Sequence, residues 1–202
     1  MMLKYEIYLA SASPRRHEIL NQMGISHRVL IVPSPPGEDE PRLPGEEPER
    51  YVMRTALEKS DRALAWIKHQ SLPSLPVLTA DTTVALSNVI LGKPKSSDEA
   101  KLMLSQLSGR VHCVYTAVTL AFGEQRIGAL SATEVRFAEL SMNDIDAYCR
   151  TGEPWGKAGA YGIQGKASLF VQHIHGSYSG VVGLPIYETG QLLRQLGESH
   201  TD

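Results

Sequence analysis

The richest run of chemically versatile side chains is Ser11-Ala12-Ser13-Pro14-Arg15-Arg16. The small residues let a ligand approach the backbone, the hydroxyls are donors, and each guanidinium can grip phosphate oxygens in bidentate fashion. The run follows a β-like stretch and opens a helical one, and a helix N-terminus offers unpaired N–H groups and partial positive charge to an anion. It reads equally as a serine-capped helix with two surface arginines. Asp81-Thr82 is the second candidate, expected just past a strand over residues 77–79. Ligands of α/β sheets gather beyond the carboxyl ends of strands. A carboxylate there can hold Mg²⁺ or take a proton from an attacking water. A turn aspartate that bonds backbone amides is the plainer alternative.

Glu38-Asp39-Glu40 lies in a Pro-rich loop. It is an ordinary solvated acidic turn unless one of the acids faces Asp81 across a cleft, where two carboxylates could chelate a divalent cation. Lys59, on an expected long helix, and Lys93, in the restrained turn Gly92-Lys93-Pro94, would complete a phosphate cage, although exposed lysines are common. The last candidate is Lys157-Ala158-Gly159-Ala160-Tyr161-Gly162-Ile163-Gln164-Gly165. Its glycines let the backbone approach a flat ligand, and Gln164 offers a donor and an acceptor to a nucleobase edge. An ordinary turn would look the same. No G-x-G-x-x-G opens a helix, no G-x-S-x-G elbow occurs and no H-x-x-x-H pairing is found. His173 and His175 would share a strand face without a third ligand, so they read as structural or surface residues.

Positioning these residues requires interleaved strands and helices. A first strand is expected over residues 5–9, then a helix with Ser13 at its cap, Pro14 at its first position and Gly24 at its end. A second strand is expected over 28–32, the Pro-rich loop over 33–48 and a helix over 49–68. A short strand over 77–79 precedes a tight hairpin over 84–90 that turns at Ser87-Asn88. Ser96 and Glu99 are spaced as a capping box for a helix that ends near Leu107. A long apolar strand over 111–122 turns at Gly123-Glu124 and returns through Val135 and Phe137. A Ser141-capped helix, the Gly-rich loop over 156–165, a strand over 169–174 and a C-terminal helix around Leu192, Leu193 and Leu196 complete the chain. The long hairpin breaks strict βαβ alternation, so the expected class is α/β or α+β with a mixed sheet.

Together and in this order, these segments resemble the Maf family of nucleotide pyrophosphatases. The resemblance spans Leu9 to Arg16, Asp39-Glu40, Glu58-Lys59, Ala80-Asp81-Thr82, Gly92-Lys93-Pro94, Gly159 to Gly165 and Val182-Gly183-Leu184-Pro185. It implies one Maf-like domain over residues 1–202, with two lobes around a central cleft as in inosine triphosphate pyrophosphatases. It also implies dependence on Mg²⁺ or Mn²⁺ and cleavage of a nucleoside triphosphate to monophosphate and pyrophosphate. By position it makes Asp81 the catalytic acid-base, sets Ser11, Arg15, Arg16, Lys59 and Lys93 around the phosphates, and puts Glu40 beside the metal with Asp81. Thr82 and Gln164 would frame a pyrimidine. Pro14-Arg15-Arg16, Asp81-Thr82 and Ile163-Gln164-Gly165 resemble the branch that prefers dTTP and UTP over the branch acting on 7-methyl-GTP. Gly156 departs from that branch, which commonly has Asp before the lysine. A nucleotide-binding regulator of septum formation is the alternative that the resemblance carries.

The bulk properties agree with a nucleotide enzyme. At 202 residues, with 42% hydrophobic and 21% charged residues, the chain can build its core without disulfides. A net charge of -2 leaves no basic face for duplex nucleic acid. No stretch approaches the roughly 20 apolar residues that span a bilayer, and the start of the chain does not read as a signal peptide. The 2 cysteines read as buried thiols in a reducing compartment, which suggests the cytoplasm. A homodimer is the expected assembly on base rates and on the resemblance.

Overall fold

The structure is a computed structural model that describes residues 6–34 and 41–198. Its centre is a 7-stranded mixed sheet in the order β2-β1-β3-β5-β6-β7, with β4 paired to β3 off this path. The strands are β1 (Ile7–Leu9), β2 (His27–Val29), β3 (Val77–Leu86), β4 (Val89–Leu91), β5 (Val111–Phe122), β6 (Gln125–Phe137) and β7 (Val171–His175). The helices are α1 (Pro14–Gln22), α2 (Pro48–His69), α3 (Ser97–Leu107), α4 (Met142–Cys149), α5 (Tyr178–Val182) and α6 (Ile186–Glu198). The expected class is therefore observed, with a parallel β2-β1-β3 part joined to an antiparallel meander.

β3 is the element on which the site turns, and it corrects the sequence reading. Asp81 is a poor strand former, so residues 77–79 and the first arm of the hairpin over 84–90 read as separate pieces. They form one strand because β5 pairs with it continuously, from Val77↔Ala121 to Ala85↔Cys113. Asp81 thus sits inside a strand, opposite Ala117, and is neither at a strand end nor in a turn. The hairpin turn is as expected: Ser87 and Asn88 both take positive φ, which a tight two-residue connection requires.

The other edge of β3 is discontinuous. β1 pairs with it only at Val77 and Leu78, and β4 only from Val84 onward. Between them the strand has an open edge, and the chain leaving β1 enters α1 beside this gap. α2 covers one face of β3, where the Thr79 hydroxyl donates to Ala56 O at 2.8 Å. The principal core, with Leu78, Leu104, Leu120 and Phe137 among its fully buried members, covers the other. The α2 side of β3 buries the polar Thr79, Asp81 and Thr83 and the other side the apolar Leu78, Ala80, Val84 and Leu86, so a one-residue slip would put polar side chains into the principal core.

Some boundaries move. The strand expected over 169–174 begins only at Val171, because Lys166–Phe170 forms a 3₁₀ turn. The second strand is shorter than expected and ends at Val29. α5 had no signal in the sequence reading; Ser177 caps it through the Gly180 N–H. Ser141 and Asp144 form a full capping box. Ser96 accepts from the Glu99 N–H, but the Glu99 carboxylate turns to the Lys95 N–H at 2.6 Å instead of closing the box. Cys113 and Cys149 are free thiols and only half-buried. Among the described residues no helix is long and apolar enough to cross a membrane.

Candidate active site

Two adjoining cavities open at the gap in the sheet. The larger, of about 410 Å³, is bordered by Arg15, Arg16, Lys59, Asp81, Thr82 and Lys93, and by the Gly-rich loop with Gln164. The smaller, of about 270 Å³, is bordered by Ser11 and shares Ser13, Arg16, Lys59 and Lys93 with the larger. Residues from α1, α2, β3 and two loops thus meet in one place, although Arg16 and Asp81 lie 65 positions apart. Every expected site residue among the described ones borders one cavity or both; Glu40, with Glu38 and Asp39, lies outside the described residues.

Asp81 is 5% exposed and is held from α2. Lys59 Nζ lies 2.7 Å from Oδ1, and the Thr55 hydroxyl donates to Oδ2 at 2.8 Å. Thr55 and Lys59 are four residues apart, so both project from one helix face onto one carboxylate. Thr55 was not anticipated from sequence, although its i−4 spacing from Lys59 was visible there. The arrangement fixes the carboxylate plane and still leaves lone pairs toward the cavity.

Arg16 is braced from several sides. Its Nε donates to Gly183 O at 2.8 Å, one terminal nitrogen reaches Ser11 Oγ at 3.3 Å and the other reaches Thr82 Oγ1 at 3.3 Å. Thr82 contacts Thr116 Oγ1 at 2.9 Å, and Thr116 donates to Gly180 O at 2.8 Å. Thr82 is therefore a link between β3, β5, α5 and the guanidinium. Ser13 stands at the N-cap position of α1 but makes no side-chain capping bond. Its own N–H donates to Ser11 Oγ at 3.2 Å, so the plain serine-cap reading of this segment does not hold.

The Gly-rich loop is shaped by the protein's own contacts. Gly159 has φ +66°, and a Cβ there would lie 2.9 Å from Val84. Its N–H donates to Gly92 O at 3.1 Å, which ties this loop to the turn that carries Lys93. At Gly165 a Cβ would lie 2.1 Å from the Glu153 carboxylate, which accepts from the Lys166 N–H at 2.9 Å. Gly159 is thus required by its left-handed backbone and by Val84, and a side chain at Gly165 would have to displace the Glu153 carboxylate, so both glycines have a packing role besides the flat-ligand and plain-turn readings. Lys157, beside the Gly156 departure, also borders the larger cavity, and its Nζ donates to Glu153 O. Burial, and then the nearby Arg15 charge, lower the Lys157 pKa. Behind the loop, buried Tyr161 pairs its hydroxyl with His112 Nε2 at 2.8 Å. Burial holds His112 neutral, with its pKa lowered to about 4. His173 and His175 lie exposed on β7 and border neither cavity.

A hard divalent ion is held by oxygen ligands, and Mg²⁺ commonly takes one or two carboxylates plus substrate phosphates. No group of three or more His, Cys, Asp or Glu suited to a metal occurs among the described residues. Asp81, facing a cavity bordered by Arg15, Arg16, Lys59 and Lys93, nonetheless fits an ion that arrives with a polyphosphate. A dedicated all-protein cage would need more acids than the described residues bring to the cavity.

Residues 6–196 match the family described as Maf-like protein. The chain is 56% identical over 191 residues to the dTTP/UTP pyrophosphatase of Bordetella pertussis, covering 95% of this chain and 92% of that one. It is 53% identical to the protein of that name from Bordetella avium, with 95% of each covered. It is 51% identical over 197 residues to that from Nitrosomonas europaea, with 96% and 95% covered.

Proposed function

The chain belongs to the Maf family, and we propose from that premise that it hydrolyses dTTP and UTP, and modified pyrimidine counterparts, to the monophosphate and pyrophosphate. The observation that carries the reading is the convergence of Arg15, Arg16, Lys59 and Lys93 with the buried Asp81 on one cavity. A triphosphate carries about four negative charges, and such a wall stabilises the charge that develops as the leaving group departs.

The phosphates lie against Ser11, Ser13, Arg15, Arg16, Lys59 and Lys93. Asp81 orients a water toward the α-phosphorus and accepts its proton. An oxygen–phosphorus bond forms to that water, and the bond from the α-phosphorus to the bridging oxygen breaks. The products are the nucleoside monophosphate and pyrophosphate. Lys59 and Thr55 hold the Asp81 carboxylate for this task. Thr82 and Gln164, which both border the larger cavity, frame the base. Asp81, with Glu40, would hold Mg²⁺ or Mn²⁺, whose role is to neutralise phosphate charge. The chain acts as one domain over residues 1–202, in the cytoplasm, where free Cys113 and Cys149 suit a reducing medium. A two-fold homodimer is its assembly.

The test is pyrophosphate release from a panel of dTTP, UTP, CTP, dATP, GTP and 7-methyl-GTP, with Mg²⁺ and after chelation. The expected result is turnover of dTTP and UTP well above the others, lost with EDTA and restored by Mg²⁺ or Mn²⁺. Faster turnover of 7-methyl-GTP, or tight dTTP binding without cleavage, would overturn the reading. Light scattering of the purified chain checks the dimer.

A further inference from the structure

The sequence reading named five residues around the phosphates, but the smaller cavity carries one more cation. Arg62 borders it together with Arg16, Lys59 and Lys93. It lies three residues beyond Lys59 on α2, so it projects from the same helix face, about 4.5 Å further along the axis. Asp81 and Glu153 border the larger cavity, whereas no carboxylate is found among the described residues of the smaller. The two spaces thus differ in charge although they share a wall.

We infer that the smaller cavity is the subsite for the departing pyrophosphate, and that Arg62 is a binding residue for its terminal phosphate. The inference rests on the pyrophosphatase reading above. Asp81 borders only the larger cavity, so the water attacks the α-phosphorus from that side. Phosphoryl transfer runs roughly in line, with attacking and leaving oxygens on opposite sides of phosphorus. The leaving group therefore points past the shared wall of Ser13, Arg16, Lys59 and Lys93 into the smaller cavity. The apolar and glycine-rich side of the larger cavity, with Ile163, Val181 and Val182, suits a nucleoside and not a polyanion. Arg62 stands beyond Lys59, where the phosphate furthest from the nucleoside arrives.

The test compares the wild-type chain with Arg62→Met and Arg62→Lys. Calorimetry with Mg²⁺ measures binding of inorganic pyrophosphate and, separately, of UMP. The Met variant should bind pyrophosphate about 10-fold more weakly, the size of one charge-assisted contact, with UMP binding within about two-fold of wild type. The Lys variant should recover most of the loss. In steady state the Met variant should raise KM for UTP and weaken product inhibition by pyrophosphate, with kcat within about two-fold. Unchanged pyrophosphate binding, or equal weakening of pyrophosphate and UMP, overturns the assignment. Should the Met variant fail to unfold cooperatively, Arg62→Gln is read by the same criterion. A wild-type chain that cleaves neither dTTP nor UTP refutes the pyrophosphatase reading alone, since the calorimetric contrast needs no turnover.

Discussion

Replacing Asp81 by Asn changes one oxygen to an amide nitrogen, and its consequences divide into stability and rate. The carboxylate now receives the Thr55 hydroxyl at 2.8 Å and Lys59 Nζ at 2.7 Å. Asn can keep the Thr55 bond through its carbonyl oxygen, but its NH₂ then faces the ammonium, so one of the two contacts is lost. A fully buried ion pair broken on one side costs about 3–5 kcal/mol, and an exposed pair contributes about 0–1. The Lys59 side chain is 20% exposed and that of Asp81 8%, so the cost falls between, at about 1–3 kcal/mol. For a chain of this length that lowers Tm by roughly 3–10 °C. The rate should fall much further, by about 10²–10⁴ in kcat, because the proton acceptor is gone. KM should move little if Asp81 acts on water and not on phosphate. The assays are calorimetric melting and pyrophosphate release from UTP. The pair can be tested directly with Lys59→Met: if Lys59 holds the carboxylate, the double variant should lose less than the product of the single losses. A kcat for Asp81→Asn within ten-fold of wild type would refute the reasoning, as would a loss confined to KM.

Thr55→Val keeps the shape of a residue that is 1% exposed but removes its donor to Asp81, so kcat should drop about 5–20-fold while Thr55→Ser restores it. Equal activity in the Val and Ser variants would show that the hydroxyl orients nothing. Gly159→Ala combines a left-handed backbone with a Cβ 2.9 Å from Val84, and should cost about 2–4 kcal/mol in urea unfolding; a loss under about 1 kcal/mol would contradict this packing. His112 is neutral in the fold with its pKa lowered to about 4, against about 6.5 when unfolded. Between these values the unfolded chain binds more protons, so stability should fall as pH drops from about 6.5 to 4, by about 3 kcal/mol from this group, and not change on its account above 7. His112→Gln should flatten that part of the urea-unfolding profile, and an unchanged slope would refute the assignment.

Element types were largely legible in the sequence where period and punctuation agreed. Pro14 before an apolar stripe, the long β5–β6 hairpin and the Ser141 cap are local signals that tertiary contacts reinforced. The reading failed at Asp81 because a charged residue breaks the apolar pattern of a strand. Only the pairing with β5 and the cover of α2 restore that strand, and both are contacts between distant segments. The same limit hid Thr55 and Arg62. They differ from other helix positions only by which way the helix faces, and the sequence names Lys59 as a candidate without fixing that face. Conversely, the glycines at 159 and 165 were conspicuous, but the neighbours packed against them, Val84 and Glu153, are known only from the fold.

The open edge of β3 explains how one short segment can serve a cavity with both an acid and a clamp. Along a strand, successive side chains point to opposite faces, so Asp81 and Thr82 would normally lie on different sides of the sheet. Here β1 has ended and β4 has not begun, so a ligand in the gap meets the strand edge-on and both faces at once. From one face α2 presents Thr55 and Lys59 to Asp81; from the other, Arg16 and Thr116 meet Thr82. Closing the gap by extending β1 or β4 across residues 79–83 would complete the ladder and abolish the site. The missing backbone pairing is thus the structural cost of bringing the acid and the guanidinium to a single phosphate chain.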